Sequence, residues 1–210
     1  MNRRQFVVGT AMLAGASAFR VPDTAAQGKS TFDLQPELPE LVIGDPNAPV
    51  RLTEYASLTC PHCKTFHETV LPKLKTAYLD TGKASYALRE FPFDPRAMAA
   101  FMLARCAPNG RTEAAIDLFF ERQNEWSRAP NAVEGFYEVA KLMGMPRAEF
   151  EACLRNGELQ GKIAAIQARG QNEFGVNAVP AMFVNGERLG GALTFETVSQ
   201  AIDKASSANQ

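Results

Sequence analysis

The stretch SLTCPHCKTF, residues 57–66, separates two kinds of periodicity and so decides the fold. Upstream, Val50, Leu52 and Glu54 alternate with Arg51, Thr53 and Tyr55, the two-residue period of a β-strand over 50–58. Downstream, Phe66, Val70, Leu74 and Tyr78 recur every four residues, which predicts one apolar helical stripe from Pro61 to about Asp80. Pro61 suits a first helical turn, where its missing N–H would be unpaired anyway, and Pro72 is expected to kink the helix. Cys60 and Cys63 therefore sit at a strand-to-helix junction with Pro61 and His62 between them. A helix start offers free N–H donors and a partial positive charge, and both favour a thiolate on Cys60. In such settings a thiol pKa of roughly 8.5 falls into the range of about 3.5–7.5. A protonated or donating His62 pushes the same way. Each unit of that fall favours the reduced thiolate by about 1.4 kcal/mol, which makes the disulfide a stronger oxidant.

Two other chemistries compete for the same pair. A zinc site wants four ligands, and no second Cys-x-x-Cys is present. A soft three-ligand site, as in a copper-tolerance protein, would need His67, four residues after Cys63 on one helical face. Otherwise His67 is expected at the surface or an edge, without a catalytic role, and no metal site is assigned. An inert bridge closing so short a loop would remove little chain entropy. Glu54 shares a strand face with Leu52 and Val50. If that face is buried, its pKa rises and it can pass protons to and from Cys63; a solvated strand carboxylate is the alternative. Pro180 opens a later strand, where a missing ladder N–H is tolerated. A cis Val179–Pro180 bond would let that loop end beside the disulfide, leaving backbone groups free to pair with a client peptide.

Further out, ASYALREF (84–91) reads as a second main strand, with a short one near Leu41–Ile43. Strands 50–58 and 84–91, joined by a helix, should be parallel with a right-handed crossover. Residues 94–174 then lose strand character, and punctuation at Asn-Gly, Ala-Pro-Asn and Met-Pro divides them into four or five helices, the first capped by Asp94-Pro95. Ala181–Val184 and Glu187–Leu189 flank Asn185-Gly186, a strong hairpin signal, and a last helix runs from Thr194. The expected architecture is α/β with a helical insertion between the βαβ unit and the C-terminal hairpin and helix.

The chain has 210 residues and a net charge of −1, ample for a core and without a case for nucleic-acid binding. Residues 1–26 read as an export signal to be removed: Arg3 and Arg4 precede an Ala/Gly-rich apolar run too short to span a bilayer. R-R-x-F fits a twin-arginine signal in part, so general secretion remains the other route. Loss of Arg3, Arg4, Arg20 and Asp23 would take the charge to −3. Exported cysteines meet oxidising surroundings, and four cysteines allow three connectivities. The close pair favours 60–63 with 106–153, the latter a structural bridge between two helices of the insertion; two buried thiols are the alternative.

The blocks EYASLTCPHC (54–63) and VPAMFVNG (179–186), with a helical insertion between them, resemble the DsbA-like branch of the thioredoxin superfamily over about residues 40–205. The resemblance implies a thioredoxin fold whose first part is 27–93, with an inserted helical domain over 94–174 and a second part over 175–210. It further implies a periplasmic thiol:disulfide oxidase donating the Cys60–Cys63 disulfide to reduced exported client proteins. Cys60 would be the exposed attacking and attacked sulfur and Cys63 the buried resolving one, in a Cys60-Pro61-His62-Cys63 motif. Val179 and Pro180 would form a cis-proline loop, and Glu54 the buried acid with Lys83 or Arg89 as its basic neighbour. A membrane quinone-linked protein would reoxidise the pair, and no cofactor is required. Related exported proteins hold cysteines like Cys106 and Cys153 as a second bridge. Disulfide isomerases of the superfamily carry a separate N-terminal dimerisation domain, for which there is no room here, so a monomer is expected. A reductase or isomerase on the same scaffold is the alternative.

Overall fold

The computed structural model describes residues 37–208; the expected export signal over residues 1–26 lies outside the described residues. Five strands, β1 (Leu41–Gly44), β2 (Val50–Ala56), β3 (Ala84–Glu90), β4 (Ala181–Val184) and β5 (Glu187–Arg188), form one sheet in the order β1-β3-β2-β4-β5. β2 and β3 run parallel, with Leu52 opposite Tyr86 and Glu54 opposite Leu88, as a βαβ unit requires. The other pairings are antiparallel. The β4–β5 turn uses Asn185 at φ 49° and Gly186 at φ 87°, the positive angles a two-residue hairpin needs.

The helix after the cysteine motif departs from the expected single run. α1 (Pro61–Thr69) stops, Val70 takes φ −106°, and α2 (Leu71–Leu74) restarts with Pro72 in its first turn. The break thus falls before the proline, which spares Pro72 an interior position where it would lack a donor and crowd the Glu68 carbonyl. A π-helical turn over Lys75–Leu79 follows.

Between β3 and β4 lie α3 (Pro95–Arg105), α4 (Thr112–Glu121), α5 (Gln123–Trp126), α6 (Ala132–Leu142), α7 (Arg147–Leu154) and α8 (Gly157–Phe174). The apolar periodicity of 112–126 predicts one helix there, but Arg122, at φ −91° and ψ 12°, divides it into α4 and α5. Asp94 caps α3, its Oδ1 accepting from the Ala97 N–H at 2.9 Å, with Pro95 next. Cys106, at the end of α3, and Cys153 in α7 are joined by a disulfide with Cα atoms 6.2 Å apart. α9 (Phe195–Ala208) closes the described chain.

All seven residues of β3 are buried, so its polar side chains must find partners. Glu90 pairs with Arg105 at 2.5 Å, fixing α3 to the sheet. Arg89 reaches Glu40 and donates to the Tyr55 hydroxyl, each at 3.1 Å. On that face the Tyr55 ring meets Phe91 and Phe183 and lies so close to α8 that only glycine fits at 170. The other face of β2 carries Leu52 and Glu54 toward α1.

Candidate active site

Strand β2 and helix α1 meet at Cys60, which occupies the N-cap position with extended backbone (φ −80°, ψ 119°), followed by Pro61. The Cys60 N–H donates to the Ser57 carbonyl at 3.0 Å, and the Cys60 carbonyl accepts from the Lys64 N–H at 3.1 Å. This tight turn leaves Cys60 half-buried and Cys63, one turn inward, fully buried; both are free thiols. Pro61 and His62 are exposed beside them. The Val179–Pro180 peptide bond is cis, and the Val179 carbonyl accepts from Cys60 Sγ at 3.6 Å. The fold thus brings Cys60, Cys63, His62, Pro61, Val179 and Pro180 to one place from segments more than a hundred residues apart.

The two sulfurs are electrostatically unequal. The Cys60 pKa is lowered to about 6, first by the hydrogen bond that the Cys63 thiol donates to it, then by the backbone N–H groups of Cys63 and His62. The His62 charge is the least of these causes, so the helix turn itself outweighs the residue the sequence points to. The Cys63 thiol is pushed far up, first by burial, then by its bond to Cys60 and by the Glu54 charge.

Glu54 is fully buried on the face that carries α1. Its Oε2 accepts from the Tyr86 hydroxyl and lies 3.2 Å from His67 Nε2. Tyr86 Oη is itself 3.1 Å from the same ring nitrogen. Two expectations fail here. His67 is not a surface residue: it is 9% exposed, with its ring 4.3 Å from that of Phe120 on α4. Neither Lys83 nor Arg89 is the basic neighbour of Glu54. Lys83 is exposed in a turn, and Arg89 points to the opposite face of β3, toward Tyr55. The i,i+4 step from Cys63 to His67 brings both onto the buried face of α1.

Three residues to which the sequence reading gave no role shape the site. Tyr86 ties β3 to Glu54. Gln123 of α5, buried, donates from Nε2 to the carbonyls of Leu58 at 2.7 Å and Cys60 at 3.1 Å, holding the motif loop against the helical insertion. Lys64 donates from Nζ to the Phe120 and Glu121 carbonyls at 2.7 and 3.0 Å, satisfying the C-terminal end of α4. Tyr86 could have been flagged, since a buried phenol seeks a partner. Gln123 carries no sequence signal, because its partners lie more than sixty residues away. Among the described residues no group of three or more His, Cys, Asp or Glu side chains could hold a metal ion, and no helix is long and apolar enough to cross a membrane.

A groove of about 320 Å³ runs beside the motif, lined by His62, Thr65, Phe66, Val70, Pro180 and Leu193 among others. A second cavity, of about 540 Å³, lies beyond His67 and Tyr86 and shares no lining residue with the groove.

The family model described as Thioredoxin matches residues 37–204. A Rickettsia felis protein, provisionally named a protein-disulfide oxidoreductase, is 30% identical over 167 residues, which are 79% of this chain and 60% of that protein. The chain therefore spans less than two thirds of the length of that relative. The crystal structure of alpha-DsbA1 from Wolbachia pipientis superposes with a TM-score of 0.74 at 30% identity, covering 81% of this chain and 93% of that one. The crystal structure of a protein-disulfide isomerase from Novosphingobium aromaticivorans gives 0.71 at 25% identity, covering 79% and 97%. With its cysteine pair at the strand-to-helix junction, a cis-proline loop beside it and six helices inserted into the sheet, the chain belongs to the thioredoxin family, in its DsbA-like branch.

Proposed function

We propose that the protein is a thiol:disulfide oxidase, exported to the periplasm, that donates the Cys60–Cys63 disulfide to folding exported proteins. A client thiolate attacks Cys60 Sγ, the Cys60–Cys63 bond breaks, and Cys63 leaves as a thiolate that takes up a proton. A second client thiolate attacks the client sulfur of the mixed disulfide and expels Cys60 as a thiolate. The products are an oxidised client and a reduced pair, two electrons having moved from client to protein. A membrane quinone-linked partner removes them, and the protein works as a monomer.

The observation that carries this reading is the inequality of the two sulfurs. A half-buried Cys60 held down to about 6 is a good leaving group, and its stabilised thiolate draws the pair toward the reduced state. The buried, raised Cys63 is protected from clients and available only to resolve. In this reading the groove lined by His62, Phe66 and Pro180 takes an extended client segment, and Val179 and Pro180 hold it near Cys60. Glu54 exchanges the proton with Cys63. Export depends on the signal at residues 1–26, through the twin-arginine or general secretory route.

Titration of the reduction potential against glutathione tests the direction. A value near that of thioredoxin, about −270 mV, sinks the oxidase reading; a value well above the glutathione poise supports it. Similarity to the Novosphingobium protein-disulfide isomerase favours isomerisation as the second reading. That activity would appear as reactivation of a scrambled client without any added oxidant.

A further inference from the structure

The turn over residues 57–60 lies between β2 and α1, yet much of what holds it comes from helices far along the chain. Gln123, at the start of α5, gives one N–H of its Nε2 amide to the Leu58 carbonyl at 2.7 Å and the other to the Cys60 carbonyl at 3.1 Å. Thr59 donates from Oγ1 to Asp94 Oδ2 at 2.6 Å, while Asp94 Oδ1 caps α3. A hydroxyl has one proton to give, so the 3.1 Å contact between Ser57 and Thr59 is a donation from Ser57. Ser57 in turn receives the Cys60 N–H on its carbonyl. Residues 58, 59 and 60 are thus gripped from α5 and from the cap of α3. The grip is returned: Lys64, next to Cys63, donates to the carbonyls of Phe120 and Glu121 just before α5.

These bonds are made with Cys60 and Cys63 as free thiols. Nothing covalent then ties the two sulfurs together. The Cys60 thiolate depends on the Cys63 thiol and on the N–H groups of Cys63 and His62, donors whose hold weakens steeply with distance and angle. In the oxidised protein the Cys60–Cys63 bond closes the turn by itself. A hydrogen bond that counted equally in both forms would leave the balance between them untouched, whereas one that counts more in the reduced form shifts it.

We propose that Gln123, together with Asp94 acting through Thr59, is a clamp that stands in for the disulfide once the pair is reduced, holding Cys60 Sγ within reach of the α1 donors. It rests on thiol–disulfide exchange at Cys60 and deepens that reading. The clamp touches neither a client nor the reacting sulfurs; it acts through the backbone of the turn, so Gln123 and Thr59 are positioning residues. Gln123 is buried, so water cannot take over its two donations, and the carbonyls it serves would be left unpaired without it. The effect has a direction. Favouring the reduced pair makes the disulfide a stronger oxidant, so the helices between β3 and β4 add to the driving force for client oxidation.

In Gln123→Leu the side chain keeps most of its bulk and loses both donors; in Thr59→Val the hydroxyl goes and the shape stays. Each protein is equilibrated with glutathione and its oxidised fraction read, and urea unfolding of the oxidised and reduced forms is followed beside it. The equilibrium constant for oxidising glutathione should fall about threefold to tenfold in Gln123→Leu, the share of one or two neutral hydrogen bonds. A tenfold fall corresponds to about 30 mV. Thr59→Val should move the constant the same way by less, because Thr59 is only half-buried and water replaces part of its bond. In both variants the reduced form should lose more stability than the oxidised form. A glutamine that only supported the fold would weaken both forms alike and leave the constant at the parent value. That result in a folded Gln123→Leu protein overturns the proposal. If the leucine variant does not fold, Thr59→Val carries the test, and a constant unchanged or raised there overturns it equally. Failure of the parent itself to exchange with glutathione would instead refute the exchange reading on which the clamp rests.

Discussion

The fall in the Cys60 pKa is assigned first to a hydrogen bond from Cys63, and replacing that donor is the sharpest test of the site. In Cys63→Ala the Cys60 thiolate loses a donor buried beside it, while the helix N–H groups and His62 stay. A hydrogen bond to a charged group contributes about 1.5–3 kcal/mol, equivalent to roughly one to two pKa units. Cys60 is half-exposed, so water replaces part of the lost bond, and the discounted shift is about one unit. Because the donor favours the charged form, its loss raises the pKa, and the midpoint should move from about 6 toward about 7. Ultraviolet absorbance of the thiolate during a pH titration of the reduced protein reads this directly. Cys63 is pushed so far up that only Cys60 titrates near neutrality in the parent. His62→Ala, which removes the least of the causes, should shift the midpoint by less. A Cys63→Ala midpoint still near 6, or a larger shift in His62→Ala, would refute this account of the thiolate.

Two further outcomes follow from the same structure. The Cys60 pKa is lowered in the folded, reduced protein, so its stabilisation is fully present above the unfolded value near 9 and lost as pH falls through about 6. The disulfide form lacks this titration, and Cys63, shifted upward, begins to oppose it only above about 9. Urea unfolding of both forms should therefore show the reduced form gaining on the oxidised form between pH 6 and 9. The gain is about 4 kcal/mol before screening and about 2 kcal/mol after it, and a flat difference would count against the assignment. Gly170→Ala in α8 sets a helix-propensity gain of up to about 1 kcal/mol against overpacking of about 1–3 kcal/mol. The new Cβ would lie 2.6 Å from Tyr55 Cε1, and that ring is hemmed in by Phe91 and Phe183, so overpacking wins. The variant should unfold at a lower urea midpoint; an unchanged or raised one would mean the ring can yield.

The sequence alone determined what depends on near neighbours. The switch from a two-residue to a four-residue period around Cys60 gave the strand, the helix and the cysteines at their junction. Asn185-Gly186 gave the hairpin, because only a few residue types accept positive φ at both central positions. The parallel pairing of β2 and β3 followed from a crossover helix between them. Only the tertiary structure decided which side chains meet across those elements. His67 looked like a surface residue because helix periodicity gives a face but not what covers it; Phe120 of α4 covers it. Arg89 looked like a partner for Glu54 because both lie on neighbouring strands, yet one step of the pleat sends Arg89 to Tyr55 and leaves Glu54 to Tyr86 and His67. The cause of the low Cys60 pKa was likewise hidden. The sequence shows a histidine in the motif, but a thiol donor one turn inward is set by how tightly that turn closes. Covalent neighbours and period fix the scaffold locally, while burial and the partners of each polar group depend on contacts between segments that the chain brings together only when it folds.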